Sequence, residues 1–565
     1  MPKRKKTAPP QPADPATPQQ GVLAALDAIF APVDRSNAPG LVVGVAHQGR
    51  TLYCRGFGMS SIEHATANTP ATRMRIGSAT KHFTCLAVLL LAEEGLLDVD
   101  APVTRYVPEL AELLGAPTLR QLMNHTGGLR CYLDILVSAG GAALQPKGRA
   151  LSALAHQTGA NFAPGDKQLY CNSGHHLMSK VVDRVAGIPF EDFLQQRIFQ
   201  PLGMADTVCV PSDMQILPGM ATQHVAQLQP GGGIGWRRGI LPPEELRGEG
   251  SIVSTVGDML RWLAHLRADD KTVGRPATWA QMTATPTLNN GQPTVYALGL
   301  FCHPYRGVDV VYHSGAVFGG LCQMLTVPAH GLDIIIMTNG ALLNPTEASW
   351  RIINAVLAEH LRGPDTLQRA GSDRFKHLFG TQYLGDSGLV FGFADVGGQL
   401  GISMNFSPPA PRLLDEGKQF RLLFEELAMG PFVLQVADLL ANGKAPAVLP
   451  FSECGQPMRL KRLPTRAPAT SKAGQPLLGR YRSADLDADA IIAFEGEKLT
   501  LRMHGTYGSR QAVLEAASAE VFRMTIQDEY LPGTAALVCE RRDGAVTGFR
   551  FGTARSRGLH FVRQP

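Results

Sequence analysis

The sequence predicts an α+β domain followed by two small antiparallel β-barrels. Patterns typical of buried strands lie near both ends of residues 21–362, with helical patterns between them, which indicates one sheet that joins the two ends. After this region helical periods become rare and short β-like runs predominate. These runs fall into two blocks, 373–462 and 477–565, on either side of a stretch with the composition of a linker.

The first domain is predicted to open with a helix and a β-hairpin. Residues 21–34 carry apolar side chains at helical spacing. Two runs rich in β-branched residues, LVVGVAH (41–47) and TLYCRGF (51–57), flank a short polar turn and predict the hairpin. A long helix is predicted to begin at Ser78 and to end near Gly95.

Strand and helix patterns return at the end of this domain. The runs VDVVYHSG (308–315) and LDIIIMTN (332–339) are predicted to be buried strands. A helix is predicted over 345–361, where a proline supplies the first residue and apolar side chains share one face.

Composition and charge exclude several classes of protein. Of the 565 residues 44% are hydrophobic and 18% are charged, as in a folded chain. Part of the net charge of +5 lies in residues 1–20, a proline-rich segment with a KRKK run that is predicted to be a disordered tail. The remainder is close to neutral, so no nucleic-acid partner is expected. No apolar run approaches the ~20 residues that span a bilayer, so no membrane partner is expected either.

The N-terminal segment and the cysteines predict a cytoplasmic location. Residues 1–20 lack the apolar stretch of a secretory signal. The nine cysteines are scattered and contain no CxxC pair, which argues against a disulfide framework and a structural zinc site. We therefore expect no metal and no other cofactor.

The first candidate catalytic motif is Ser78-Ala79-Thr80-Lys81. A spacing of three residues at the start of a helix puts the hydroxyl and the ammonium on the same face, one turn apart. Burial and the amide groups at a helix N-terminus both disfavour a cation. Lys81 is therefore predicted to become neutral and to accept the proton of a nucleophilic Ser78. Taken alone, Ser78 is also compatible with a simple N-cap.

The second motif is YCN, which ends at Asn172. Tyr170 can relay a proton between the nucleophile and the leaving group, provided that nearby cations lower its pKa. Asn172 can hydrogen-bond Lys81 and a substrate amide. Taken alone, Tyr170 is also compatible with a core tyrosine.

The third motif is HSG, which begins at His313 on a predicted buried strand. Gly315 lets a substrate backbone lie close to the strand. The backbone amide of Ala316, together with that of Ser78, can hold an oxyanion. His313 alone is also compatible with a buried histidine that hydrogen-bonds within the core.

Other polar residues have weaker claims to a function. His175 and His176 lack a third metal ligand at suitable spacing, which favours packing or a place on a helix surface. His125 is predicted to have a structural role in a loop, and Cys171 is predicted to pack in the interior.

SATK, YCN and HSG in this order resemble the serine β-lactamase and penicillin-binding-protein superfamily, in its class C-like branch. The resemblance covers roughly residues 21–362. It implies a β-lactamase-like catalytic domain with an antiparallel sheet flanked by helices. Further segments carry the same resemblance: 74–103, 119–130, 162–178 and 248–263.

A class C-like domain followed by two barrels resembles the three-domain D-aminopeptidases of this superfamily. Segments 379–398 and 478–496 are similar to the openings of the second and third domains of that family. Histidine at position 313, where many penicillin-recognising relatives carry lysine, is also the choice of that family. The resemblance implies release of N-terminal D-amino acids from peptides, amides or esters through an acyl-enzyme on Ser78, with Lys81 and Tyr170 sharing the general base and acid work.

In D-aminopeptidases a loop of the last barrel enters the active site and carries an acid that faces the substrate ammonium. The matching segment here is about 504–517, where Gly508 fits the pattern. The acidic position is occupied by Gln511, with Glu515 as the alternative acid if the segment is shifted. A neutral amide cannot attract an ammonium as a carboxylate does.

Two other functions stay open on the sequence. The first is an esterase, a β-lactamase or a DD-carboxypeptidase-like hydrolase with the same catalytic residues. The second is a non-catalytic scaffold, against which intact Ser78, Lys81 and Tyr170 argue. The expected partner is a small peptide, amide or ester that contains a D-amino acid, and the sequence also allows a homodimer.

Overall fold

The structure is a computed structural model. It describes residues 18–110, 115–140, 146–240, 245–363, 368–422, 432–440, 443–528 and 531–565. A mixed α/β domain comes first, followed by an eight-stranded antiparallel sheet and a closed eight-stranded barrel. The predicted fold class, an α+β domain followed by two antiparallel barrels, is confirmed.

The central sheet of the first domain has six antiparallel strands in the order β10-β11-β12-β13-β1-β2. The predicted hairpin is β1 and β2, and β1 also pairs with β13, so the sheet joins both ends of the domain. The strands of the domain are β1 (Leu41–His47), β2 (Arg50–Phe57), β3 (Met59–Ser61), β4 (Thr66–Ala67), β5 (Met74–Arg75), β6 (Val208–Cys209), β7 (His224–Leu228), β8 (Ile234–Arg238), β9 (Ile252–Ser254), β10 (Phe301–Tyr305), β11 (Val308–Val317), β12 (Gly320–Val327) and β13 (Leu332–Thr338).

Helices cover both faces of this sheet. They are α1 (Pro18–Phe30), α2 (Lys81–Glu93), α3 (Leu119–Met123), α4 (Tyr132–Ser138), α5 (Arg149–Ala155), α6 (Asn172–Ala186), α7 (Phe190–Leu194), α8 (Val256–Arg267), α9 (Pro276–Thr283) and α10 (Pro345–Val356). None of the described helices is both long enough and apolar enough to cross a bilayer.

Two helix starts differ from the sequence prediction. Helix α1 begins at Pro18, inside the segment that was expected to be a tail, and residues 1–17 of that segment lie outside the described residues. The long helix α2 begins at Lys81, because the preceding residues Gly77–Thr80 form a tighter 3-10 turn. Ser78 therefore lies on a turn that leads into the helix.

The sequence of β1 explains why helices cover both faces. Leu41, Val43 and Val45 belong to the cluster beneath α1 and α10, whereas Val42 points to the opposite cluster, which contains α8. Successive side chains of a strand alternate between the faces of a sheet, so a continuous apolar run requires cover on both. Complete burial of each such side chain contributes about 1.5–3 kcal/mol.

The second domain is a single eight-stranded sheet that curls until its edges nearly meet. Isolated bridges such as Gly371↔Gln399 and Ile402↔Ala410 help to close it, and a phenylalanine-rich core fills its interior. Its elements are β14 (Gln382–Gly385), β15 (Val390–Val396), β16 (Gln399–Met404), β17 (Leu413–Asp415), β18 (Gln419–Leu422), β19 (Phe432–Gln435), α11 (Val436–Leu440), β20 (Val448–Glu453) and β21 (Gln456–Arg462).

The last domain is a closed barrel in which each strand pairs with the next and the first pairs with the last. Closure leaves no unpaired sheet edge. Its elements are α12 (Thr470–Ala473), β22 (Gly479–Ser483), β23 (Ala488–Glu495), β24 (Lys498–Gly505), β25 (Gly508–Ala516), β26 (Val521–Ile526), β27 (Gly533–Arg542), β28 (Ala545–Gly552) and β29 (Leu559–Arg563).

One turn of the barrel, residues 553–558, contacts both other domains. Arg557 forms a buried ion pair with Glu453 of the second domain at 2.6 Å. Arg130 of the first domain donates to the Arg557 carbonyl at 3.0 Å and to the Gly558 carbonyl at 3.0 Å. This turn, called the 553–558 turn below, therefore fixes the barrel against the rest of the chain.

Candidate active site

Ser78 and Lys81 meet where the 3-10 turn passes into α2. Lys81 Nζ donates to Ser78 Oγ at 2.9 Å and to the carbonyl of Glu249 at 2.8 Å. Lys81 is completely buried, whereas Ser78 is half-buried and open to solvent on one side. Burial lowers the pKa of Lys81 to about 7. A neutral amine in this position can accept the hydroxyl proton of Ser78.

Glu249 is a buried residue near the site that lies outside the three sequence motifs. Its carbonyl holds Lys81, while its carboxylate accepts a hydrogen bond from Tyr132 and lies 3.3 Å from His176 Nδ1. Burial opposes ionisation, but His176 and Tyr132 outweigh it, so the pKa of Glu249 lies below its ordinary value. Its negative charge moderates the loss of charge on Lys81.

Tyr170 lies directly over Lys81, whose Nζ is 4.7 Å from the centre of the tyrosine ring. The ring also packs against His125 in a tilted arrangement, with the ring centres 4.3 Å apart, and Ser78 hydrogen-bonds the hydroxyl. Burial raises the pKa of Tyr170 above its ordinary value, although Ser78 and Arg555 oppose the shift. The expectation that nearby cations would lower this pKa is therefore wrong, since loss of solvent dominates.

Asn172 is the first residue of α6 and lies close behind Tyr170 in the chain. Its amide nitrogen donates to the sulfur of Cys131 at 3.7 Å. The expected hydrogen bond to Lys81 is replaced by the contact of Lys81 with the Glu249 carbonyl. The substrate contact predicted for Asn172 stays a prediction.

His313 is buried beneath the site, on β11. Its Nδ1 donates to the carbonyl of Ser314, which can only accept, so Nε2 accepts from the hydroxyl of Tyr296 at 2.9 Å. Burial, together with Lys81, lowers the pKa of His313 to about 3. Both ring nitrogens are thus engaged within the protein, and the substrate contact predicted for His313 stays a prediction.

Gly315 permits a close contact between β11 and the Ser78 turn. A Cβ atom at Gly315 would lie 1.8 Å from the carbonyl oxygen of Ile76 and 3.1 Å from the Ser78 nitrogen. The protein's own backbone thus requires this glycine, which was expected from the sequence to make room for a substrate backbone.

The amides of Ser78 and Ala316 lie beside each other at this contact. Gly77 has φ +53°, and a Cβ atom there would lie 2.8 Å from the Ala316 nitrogen. Strand β10 pairs only with residues 308–312 of β11, so it leaves the edge around the exposed Ala316 uncovered. An oxyanion is held by neighbouring amide donors, and that these two amides hold one stays a prediction.

The segment about 504–517 forms a tight hairpin of β24 and β25. Its tip packs on α5, where the hydroxyl of Tyr507 lies 3.0 Å from Ser152 Oγ and the carbonyl of Thr506 accepts from Arg149. The described contacts of this hairpin do not include Ser78, Lys81 or Tyr170. That the segment enters the active site stays a prediction.

Gln511 and Glu515 both point to solvent from β25. Side chains alternate along the strand, so the neighbouring Arg510 faces the barrel interior. Gly508 lies at the turn with φ +142°, a conformation that favours glycine. That the residue at this position faces a substrate amine stays a prediction.

The 553–558 turn, rather than the hairpin, brings a charge to the site. Arg555 binds Asp134 of α4 through Nη2 and through Nε, the latter at 3.4 Å. Its carbonyl accepts from the Cys131 amide at 3.2 Å and from Asn161 Nδ2 at 2.9 Å. Burial is the main cause of the altered pKa of Lys81, and the positive charge of Arg555 adds to it.

Two histidines near the site, His125 and His175, contact other buried residues of the protein. His125 Nδ1 accepts from the Cys171 amide at 3.2 Å, and His175 Nε2 lies 3.5 Å from Cys85 Sγ. Across the described ranges of the chain, no three His, Cys, Asp or Glu side chains come together as a metal ion would require.

A family model described as Beta-lactamase matches residues 26–359, more than half of the chain. The chain belongs to the β-lactamase family. The matched range contains Ser78, Lys81 and Tyr170, which lie together at the junction of the 3-10 turn with α2.

Curated relatives of this β-lactamase-family protein are aligned along nearly all of its length. A D-aminopeptidase of Brucella melitensis biotype 2 is 27% identical over 543 residues, which cover 93% of this chain and 96% of the relative. A D-aminopeptidase of Brucella anthropi is 26% identical over 551 residues, which cover 93% and 95%. The alignment with these relatives therefore extends through the first domain into both barrels.

Solved structures support the same fold. The octameric penicillin-binding protein homologue from Pyrococcus abyssi superposes with a TM-score of 0.53 at 16% identity and covers 96% of this chain and 100% of its own. The D-amino acid amidase from Ochrobactrum anthropi SV3, complexed with D-phenylalanine, gives 0.51 at 21% identity and covers 60% and 99%. The homodimer considered for this β-lactamase-family protein stays a prediction.

Proposed function

We propose that this protein is a D-stereospecific serine peptidase that releases N-terminal D-amino acids from peptides, amides or esters through an acyl-enzyme on Ser78. The observation that carries the proposal is the contact of a half-exposed Ser78 with a buried lysine whose pKa is about 7. The alignment with proteins named D-aminopeptidases over 93% of the chain supports the choice of substrate. Residues 21–362 would form the catalytic domain.

Acylation begins with transfer of a proton from Ser78 Oγ to Lys81 Nζ. The oxygen attacks the scissile carbonyl carbon, and the negative charge that develops on the carbonyl oxygen is held by the amides of Ser78 and Ala316. The bond to the leaving amine then breaks as the amine takes the hydroxyl proton of Tyr170. Lys81 returns its extra proton to Tyr170, so no lasting phenolate forms, in keeping with the raised pKa of Tyr170.

Deacylation reverses these roles with water as the nucleophile. Water gives a proton to Lys81 and attacks the acyl carbon, and the same two amides hold the oxyanion. The ester bond to Ser78 Oγ breaks, and the oxygen recovers its proton through Tyr170 and Lys81. The free D-amino acid leaves, and the resting state with a neutral Lys81 is restored.

The test combines labelling with stereochemistry. A fluorophosphonate probe should label the wild-type protein on Ser78 and leave Ser78→Ala unlabelled. Four substrates are then compared: D-Ala-p-nitroanilide, its L-isomer, its N-acetylated form and a simple p-nitrophenyl ester. Preference for the free-amine D-compound would support the aminopeptidase.

Each contrary outcome has a definite meaning. Equal turnover of the D- and L-anilides would refute stereospecificity. Turnover of the ester alone would keep the catalytic residues but replace the peptidase with an esterase. No label and no turnover in a correctly folded protein would support the non-catalytic scaffold.

A further inference from the structure

The 553–558 turn brings Arg555 to the edge of the catalytic cluster. Its carbonyl accepts from the amide of Cys131 at 3.2 Å, and the sulfur of Cys131 accepts from Asn172, two residues after Tyr170, at 3.7 Å. Its positive charge adds to the lowering of the pKa of Lys81. The side chain stays about one-fifth exposed. It is therefore partly accessible to a ligand.

We propose that Arg555 is a specificity-determining residue that binds a carboxylate of the substrate beside Ser78. The inference deepens the proposed function and rests on it: the preferred substrates carry a carboxylate near the scissile bond. The carboxylate belongs either to the side chain of the released residue or to the leaving group.

The arrangement of the guanidinium supports binding of an anion. Among the described residues, the hydrogen bonds of its side chain go to Asp134 and use Nε and Nη2. Nη1 is left over for a ligand, and a planar guanidinium recognises carboxylates through paired N–H donors. Asp134 holds one edge of the group and fixes its direction.

The backbone of the turn is rigid enough to present this side chain accurately. Ser556 Oγ accepts from the Cys131 amide at 3.0 Å and donates to the Cys131 carbonyl at 3.1 Å, and Thr553 Oγ1 donates to Asp134 at 2.6 Å. A side chain held in place before binding loses less conformational entropy when the ligand arrives. Arg555 is therefore pre-ordered for recognition.

The neighbouring Arg557 has a purely structural role. Arg557 belongs to the same turn, but both of its Nη atoms bind Glu453, at 3.0 and 2.6 Å, and its side chain is buried. Arg557 therefore joins domains, whereas Arg555 remains partly open beside the catalytic residues. This pair provides a matched control.

The experiment compares substrates that differ only by a carboxylate. For the side-chain source, D-Glu-p-nitroanilide is compared with D-Gln-p-nitroanilide. For the leaving-group source, D-Ala-D-Ala is compared with D-Ala-D-alaninamide, with released D-Ala measured. In the wild-type protein the carboxylate member of one pair should exceed its amide in kcat/KM by about tenfold or more, the scale of a charge-assisted hydrogen bond.

Three variants separate recognition from stability. Arg555→Gln should reduce the preference to about onefold, chiefly through a higher KM for the carboxylate member. Arg555→Lys should keep part of the preference, because it keeps the charge. Arg557→Gln weakens the same turn through its bond to Glu453 but should keep the full preference. Near-ultraviolet circular dichroism confirms that each variant is folded.

A second measurement keeps the inference testable if no D-substrate is turned over. D-glutamate or succinate should slow fluorophosphonate labelling of Ser78 in the wild-type protein and in Arg557→Gln, but not in Arg555→Gln. Such protection without D-peptidase activity would overturn the proposed function and keep the carboxylate site.

The inference itself is overturned by any of three results. The first is the absence, in both substrate pairs, of any preference of the wild-type protein for the carboxylate member. The second is equal loss on both members of a pair in Arg555→Gln. The third is labelling of Ser78 that the anions do not slow in the wild-type protein.

Discussion

The ionisation of Lys81 gives the sharpest quantitative prediction. Burial moves its pKa from 10.5 to about 7, which corresponds to about 5 kcal/mol against the ammonium form. If neutral Lys81 takes the proton of Ser78, then reactivity must follow the neutral fraction of the lysine. That fraction is about nine-tenths at pH 8, half at pH 7 and one-tenth at pH 6.

The second-order rate of fluorophosphonate labelling of Ser78 is the suitable assay, because the probe does not ionise over this range. Between pH 5 and 9 the rate should rise with one apparent pKa of about 7, as the pKa of Lys81 requires. Lys81→Met should lose labelling at every pH. A flat profile across this range would refute the assignment of Lys81 as the base.

Two charges near Lys81 allow the same assay to test the cause of the shift. Burial is its main cause, Glu249 raises the pKa of Lys81 and Arg555 lowers it further. The midpoint of the profile should therefore move to lower pH in Glu249→Gln and to higher pH in Arg555→Gln. Movement of both midpoints in the same direction would contradict the electrostatic account.

Three further changes are predicted. Tyr170→Phe keeps the ring over Lys81 but removes the proton relay, so kcat should fall at least about a hundredfold in steady-state kinetics, with little change in KM. Thermal stability, measured by calorimetry, should also change little. An unchanged kcat would mean that Tyr170 has no part in the mechanism. Gly315→Ala places a carbon 1.8 Å from the Ile76 carbonyl oxygen, so both activity and melting temperature should drop. In the control Gly371→Ala the added carbon has nothing within 4 Å, so neither quantity should change. Equal melting temperatures of the two variants would show that the contact at Gly315 can relax. Gln511→Asp changes a solvent-facing side chain on β25, so kcat/KM for free-amine substrates should change by less than about twofold. A clear gain would show that the hairpin lies close to the substrate amine.

Local patterns were sufficient for much of the fold and part of the site. The β1–β2 hairpin follows from two β-branched runs around a polar turn, and the class of the first domain follows from strands at its two ends. The spacing of Ser78 and Lys81 also anticipates their contact, since a helical turn fixes it. These features depend on residues that are close in sequence.

Contacts between segments that are far apart in the chain could not be predicted from the sequence. Arg555 meets Asp134 across 421 residues, and no local pattern marks either residue as part of a site. For Gln511 a local pattern gives only the side of the barrel. Ala512 and Leu514 are buried on β25, and their alternation places Gln511 on the outside of the barrel.

The 553–558 turn has a consequence for how the protein folds during its synthesis. On the ribosome, Ser78 and Lys81 emerge early, and the first domain can collapse around them while the last barrel is still unsynthesised. The pocket acquires Arg555 only once the chain has been made beyond residue 558 and the barrel has closed. Newly made chains would thus pass through a stage with an assembled nucleophile but without the arginine beside it, and any selectivity that Arg555 confers would begin only with docking of the barrel.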